Sequence, residues 1–273
     1  MTLLRQNREL KRLGIWNWTL PAFAGKFPDG TNYNACPSAG ICAKNCYARN
    51  GTFLFPVVKA RHQANLRFVL DDLPGWKSVM LDELAHPKFH GAWVRIHDSG
   101  DFLSRQYLQA WLDIMRARGA TRFYAYTKEV AAFKELVDPD PPRNFWWVYS
   151  YGGTQDAALD PATDRVADVF PDEQSIRDAG WHSQTESDLL AVLGPAPVGI
   201  PANNIAHFKA LQAGRRWSAW QAGVDAARRD RRSRAAAAAA PSSPPQQPPD
   251  VGEVAADSTP TSTIDANSAQ PHH

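Results

Sequence analysis

Between residues 92 and 212 the apolar period switches repeatedly between two and about 3.6 residues, and this alternation restricts the chain to folds built on a parallel sheet. Residues 92–97 read as a strand, 98–101 as a turn, Ser104 as an N-cap, 106–118 as an amphipathic helix and Gly119 as its stop. Residues 122–127 are the next strand. The two strands and their helix form a βαβ unit, which requires a parallel pair with a right-handed crossover. The alternation continues with helix at 129–137, strand at 145–151, the Gly152-Gly153 turn, strand at 165–170, helix at 186–193, strand at 197–200 and helix at 206–212. Upstream, 55–70 and 77–84 read as helices. Such a series predicts a barrel or an open doubly wound sheet, and no internal repeat or Gly-rich phosphate loop accompanies it.

Composition sets the domain limits. From Ala235 the chain runs through six alanines, a Pro/Ser/Gln-rich segment and an acidic Ser/Thr-rich end. With no apolar period there, 235–273 is expected to be a disordered low-complexity tail. The folded part is then one α/β domain over 14–222, preceded by an N-terminal extension (1–13) and followed by a basic helix end (223–234). All ten tryptophans precede residue 221, so this domain has a substantial core. The net charge of +2 does not argue for nucleic acid by itself. Arg215, Arg216, Arg228, Arg229, Arg231, Arg232 and Arg234 nevertheless form a strip that can contact phosphates, or simply keep a helix end solvated. No stretch approaches the roughly 20 apolar residues of a membrane span, and the N-terminus lacks an apolar signal core. The chain is expected to be soluble and cytoplasmic, with no membrane partner.

All three cysteines, Cys36, Cys42 and Cys46, fall within eleven positions of one Gly- and Pro-containing loop. An odd number excludes full internal pairing, and the clustering points to a metal. Three thiolates suit a [4Fe–4S] cluster, in which the fourth iron stays open to another ligand. A structural zinc with Cys3His ligation is the alternative metal, with His62 or His97 as the fourth ligand, although zinc cysteines usually come in tighter pairs. A metal-free structural cluster is a third reading.

In parallel α/β folds ligands bind beyond the carboxyl ends of the strands. Those ends carry Arg95, His97, Asp98, Ser99, Gly100 and Asp101, then Tyr126, Thr127 and Lys128, then Ser150 to Gly153, then Asn203 and Asn204. Each alone is ordinary turn chemistry; four consecutive polar ends downstream of a metal loop predict a ligand cleft.

Three motifs, Cys36-x5-Cys42-x3-Cys46-Tyr47-Ala48, Arg95-x-His97-x-Ser99-Gly100-Asp101-Phe102 and Phe123-Tyr-Ala-Tyr-Thr-Lys128, resemble the gene product 88 family of mycobacteriophages and related actinobacterial elements, over about residues 14 to 220. More distantly, the pattern is similar to radical S-adenosylmethionine enzymes, with their three-cysteine loop after the first strand and Ser/Gly-Gly-Glu type turn after the second. The gaps of five and three residues differ from the C-x3-C-x2-C of those enzymes, and Tyr47 follows the last cysteine instead of preceding it. The resemblance implies a partial (β/α)6-type, TIM-like barrel. It also implies cluster ligation by Cys36, Cys42 and Cys46, and S-adenosylmethionine against Ser99, Gly100, Asp101 and Asn203. His97, Tyr126 and Lys128 are the expected catalytic residues, for substrate contact or proton management. Such an enzyme needs an external electron donor, and its substrate is unknown. The rival readings are a non-catalytic, zinc-stabilised nucleic-acid-binding protein and an interaction protein that recruits partners through its tail.

Overall fold

A computed structural model describes residues 2–239. The chain divides into a large unit, Met1–Arg231, and a second, Arg232–His273. The large unit opens with helix α1 (Arg8–Arg12), strand β1 (Ile15–Trp18) and a small antiparallel hairpin, β2 (Ala24–Lys26) with β3 (Asn32–Asn34). The cysteine loop follows as a series of short 3-10 turns. Next come α2 (Pro56–Asp71), α3 (Leu73–Leu84), β4 (Trp93–Ile96), α4 (Arg105–Ala117), β5 (Arg122–Thr127), α5 (Val130–Leu136), β6 (Phe145–Ser150) and β7 (Val166–Phe170). The remaining elements are α6 (Glu173–Asp178), β8 (His182–Ser183), α7 (Leu190–Leu193), β9 (Val198–Pro201), α8 (Ala206–Gln212) and α9 (Trp217–Ala239).

Seven strands form one sheet in the order β1-β4-β5-β6-β7-β9-β8, and every neighbouring pair is parallel. The expected α/β domain on a parallel sheet therefore forms. The sheet is open, however, because no described strand pairs β1 with β8, so the wall of a TIM-like barrel is not closed. Six strands, β1, β4, β5, β6, β7 and β9, stand side by side in chain order, and β8 caps the far edge. Local signals act as read: the Ser104 side chain accepts from the Tyr107 N–H at the start of α4, and β5 occupies 122–127.

Three boundaries need correcting. Residues 1–13 are not an extension, since Leu3, Leu4 and Leu10 are buried in the core and Arg5 bridges Asn17 across two backbone hydrogen bonds. The helix expected at 186–193 shrinks to Leu190–Leu193. The basic helix end and the first alanines are one helix, because α9 continues through Ala239; alanine has the highest helix propensity, so a poly-Ala run extends a helix that packing has started. The rest of the tail expectation, 240–273, lies outside the described residues. Among the described residues no helix is long and apolar enough to cross a membrane.

Candidate functional site

Because the strands share one direction, the residues that follow β1, β4, β5, β6, β7 and β9 meet at one edge. A cavity of about 780 Å3 lies there, within the range of about 300–1,000 Å3 typical of small-molecule sites. Cys36, Cys42, Cys46, His97, Ser99, Gly100, Asp101, Tyr126, Lys128 and Asn203 all line it. The seven arginines do not.

The Ser99-Gly100-Asp101 turn is zipped to the segment beyond β1. Leu20 N–H donates to the Ser99 carbonyl at 3.0 Å, and the Ser99 hydroxyl donates to the Leu20 carbonyl at 2.5 Å. Gly100 has φ +88 and a Cβ there would lie 2.6 Å from that of Leu20, so a side chain fits neither the backbone angle nor the space. Asp101 is a clip. Its Oδ1 accepts from the Phe102 N–H and the Thr127 hydroxyl, both at 2.8 Å, and its Oδ2 from the Lys128 N–H at 2.9 Å. These bonds tie the β4 turn to the end of β5. Burial nevertheless raises the Asp101 pKa against the pull of its donors.

The cysteine loop is pinned from three directions. Glu129, beyond β5, accepts from the Ser38 N–H at 2.9 Å and the Ser38 hydroxyl at 2.8 Å. The Gly152 carbonyl, beyond β6, accepts from the N–H groups of Gly40 and Cys42 at 3.0 and 3.1 Å. Gln221 of α9 accepts from the Ile41 N–H at 2.8 Å. Gly152 has φ +96, and a Cβ would sit 2.7 Å from the Trp217 ring, so glycine is required. Burial raises all three thiol pKa values, that of Cys46 to about 12, and the neighbouring Cys42 thiol pushes Cys36 and Cys46 further up. The Lys128 ammonium opposes this at Cys42 and Cys46; it also donates to the Ser150 hydroxyl at 2.7 Å. The three half-buried thiols are therefore neutral along the cavity wall, and a metal's positive charge is what would convert them to thiolates. Among the described residues no group of three or more His, Cys, Asp or Glu side chains is gathered as a set that holds one metal ion.

His97 links the cavity to the core. It is 3% exposed and has φ +67. The Trp18 indole can only donate, and it does so to the Tyr107 oxygen at 2.7 Å. The phenol proton is then best used toward His97 Nε2, 2.9 Å away, which puts the imidazole hydrogen on Nδ1. That nitrogen is buried without a hydrogen-bond partner. Burial and then the Arg95 charge hold the imidazole pKa down at about 3, so the ring is neutral at physiological pH. It offers a donor and is a poor base. His62, the other zinc-ligand candidate, packs against Phe53 with ring centroids 5.8 Å apart and does not line the cavity.

The Gene product 88 family model matches residues 1–238. The chain belongs to that family. No curated protein and no solved structure matches it. The family match takes in the N-terminal segment that the motif resemblance over 14–220 leaves out, and this segment supplies Asn7, Arg8 and Glu9 to the cavity wall.

The opposite wall contains residues that the sequence reading missed. Arg95 lies 3.4 Å from Asp98 and 3.2 Å from Asp188, over the Tyr126 ring. The Tyr126 hydroxyl lies within hydrogen-bond distance of two acceptors, Gln184 Oε1 and Asp188 Oδ1, for its one proton, and Tyr124 donates to Asp188 Oδ2. Asp188 and Gln184 come from the irregular segment between β8 and α7, which has no period to mark it. The one available signal was charge balance: a half-buried Arg95 at a strand end favours a second carboxylate besides Asp98. Arg215 and Arg216 are built into the fold, stacked on Trp220 and on Phe170 and Trp181, with Arg216 3.8 Å from Asp168.

Proposed function

We propose that this chain is an iron–sulfur enzyme of the radical S-adenosylmethionine type, on an incomplete barrel wall, acting on a small substrate held in the cavity. The observation that carries the reading is one of order. The three-cysteine loop follows the first strand of a six-strand wall, the Ser99-Gly100-Asp101 turn follows the second, and both line the same cavity.

The residue types suit the group: three half-buried thiols on one loop and no fourth cysteine, with pKa values raised so that they need a cationic partner to ionise, although among the described residues they are not gathered as a set around one ion. Cys36, Cys42 and Cys46 would hold the cluster. When bound, a three-thiolate [4Fe–4S] cluster supplies an open iron for the amino and carboxylate groups of S-adenosylmethionine, and an electron to cleave its C–S bond. The turn at 99–101 and Asn203, which also lines the cavity, would receive the cofactor. Asp101 sets that turn's conformation, since most of its accepting capacity is spent on Phe102, Thr127 and Lys128. His97 offers its Nδ1 hydrogen to an acceptor on the bound molecule. Tyr126 and Lys128 supply a hydroxyl and an ammonium beside it. The enzyme needs an external electron donor.

The zinc-stabilised nucleic-acid reading has weaker support. Trp18 is fully buried, Trp16, Trp146 and Trp147 are half-buried, and Arg215 and Arg216 stack on the domain's own aromatics. Anaerobic purification followed by iron, sulfide and zinc analysis tests the proposal. About four irons and four sulfides per chain, lost in Cys42→Ser, are expected; zinc without sulfide, or no metal after reconstitution, would overturn it.

A further inference from the structure

Residues 30–70 contain no aspartate or glutamate and five basic residues, Lys44, Arg49, Lys59, Arg61 and Arg67, in a chain whose whole net charge is +2. Arg67 is neutralised by Asp29 and Asp71 and covers the Phe27 ring. The other four are exposed, and none of them forms an ion pair among the described residues. Within the same stretch the chain shows an unusual apolar surface. Leu54 and Phe55 are each 58% exposed and Val57 74%, with Pro56 exposed between them. A folded chain does not normally leave four consecutive apolar residues in water without use.

The location gives this patch meaning. Thr52 and Phe53, immediately before it, line the cavity, and Phe53 packs on Tyr47 with ring centroids 5.7 Å apart. Lys44 sits between Cys42 and Cys46, and Arg49 follows three residues later. Lys44, Arg49 and the apolar patch therefore flank the cavity-lining residues 45–48, 52 and 53 along the chain, and Lys59 and Arg61 follow on α2.

We infer that this face docks a small acidic one-electron carrier protein, a partner that delivers its electron through the cysteine loop. The inference rests on the iron–sulfur reading above. The apolar residues form the dry centre of the contact and Lys44, Arg49, Lys59 and Arg61 its charged rim, the usual anatomy of a transient protein interface. Nucleic acid would use the cations but leave the apolar residues unmatched. The electron balance is simple: the carrier is oxidised by one electron, the cluster reduced by one, and no atom is transferred.

The test is binding of a plant-type ferredoxin to the full-length, cluster-loaded protein by calorimetry at two salt concentrations. Lys59→Glu with Arg61→Glu, on the exposed face of α2 and outside the cavity, should weaken binding on the order of tenfold, as should added salt; Phe55→Ser should weaken it without changing the salt dependence. Iron content and circular dichroism of each variant must match wild type. Affinity that ignores both salt and the double substitution would overturn the inference, as would equal, substitution-sensitive binding to duplex DNA or to phosphatidylserine vesicles. Failure here with an intact cluster leaves the iron–sulfur reading standing, whereas salt-sensitive docking by a chain without iron sinks that reading and the electron-delivery role but not the docking face.

Discussion

The aromatic core and the cavity edge of this domain are held by different forces. Around Trp76 the rings of Trp18, Tyr107 and Trp111 pack at centroid distances of 5.1 to 5.6 Å, all fully buried. Stability there is apolar area and close packing, at roughly 1.5–3 kcal/mol per buried large side chain. The edge is mixed: Val169, Ile200, Phe208 and Trp217 line the cavity beside the polar strand ends, and Ile41 of the cysteine loop packs with Trp217 and Trp220. The loops are positioned by single acceptors that each collect several donors: Asp101, Glu129 and the Gly152 carbonyl. Packing tolerates small shifts but is lost in bulk, whereas a clip is lost whole when one atom goes. This division lets the edge present polar atoms and thiols to a ligand without weakening the sheet beneath. His97 belongs to both regions, one nitrogen in the core's Trp18–Tyr107 chain and the other unpartnered.

Four substitutions can break or sharpen that contrast. Trp111→Ala should have the largest effect, about 3–5 kcal/mol from lost burial and the cavity left behind, read as a shifted urea midpoint. A loss under 1 kcal/mol would show that the core is not where stability resides. Gly152→Ala should cost about 1–3 kcal/mol, since it meets both a left-handed φ and the Trp217 ring. If its damage is local, as the contrast requires, proteolysis should first cut the cysteine loop; uniform unfolding would erase the distinction.

The third is a pH effect. His97 stays neutral in the fold down to about 3, while an unfolded histidine takes up its proton near 6.5. Between these values the unfolded chain binds more protons, so stability falls as pH drops from about 6.5 toward 3, by up to about 1.4 kcal/mol per pH unit. His97→Gln should remove that part of the slope between pH 4.5 and 7; an identical slope would mean that His97 is solvated and not part of the core. The smallest effect is expected for Cys46→Ser in the metal-free protein, about 1 kcal/mol or less, because Cys46 is half-buried and stands outside the buried core. A larger loss would make the cysteine loop a structural element in its own right.

The cavity-lining residues of the candidate site were largely legible because their placement is a local property. Cys36, Cys42 and Cys46 share a loop by sequence, and His97, Ser99, Gly100, Asp101 and Lys128 follow, and Tyr126 ends, strands that their own alternation reveals. Parallel strands then bring such ends to one edge. Asp188 and Gln184 were invisible because they lie on irregular chain, and they matter only through Arg95 and Tyr126, which are distant in sequence. The role of Asp101 was legible as an acidic residue in a turn, but its three donors come from two elements that only the fold brings together.

By itself the sequence determined the parallel α/β alternation, most of the helix limits and the grouping of polar residues at strand ends, because period and capping act within a few residues of the chain. Tertiary structure decided that the sheet stays open, that Leu3 and Leu4 belong to the core, and that α9 runs on through the first alanines. Each of these depends on what packs against what over long separations. Sheet closure requires partners for β1 and β8, burial of an N-terminal segment requires a groove to receive it, and a poly-Ala run becomes helix when a docked helix such as α9 nucleates it.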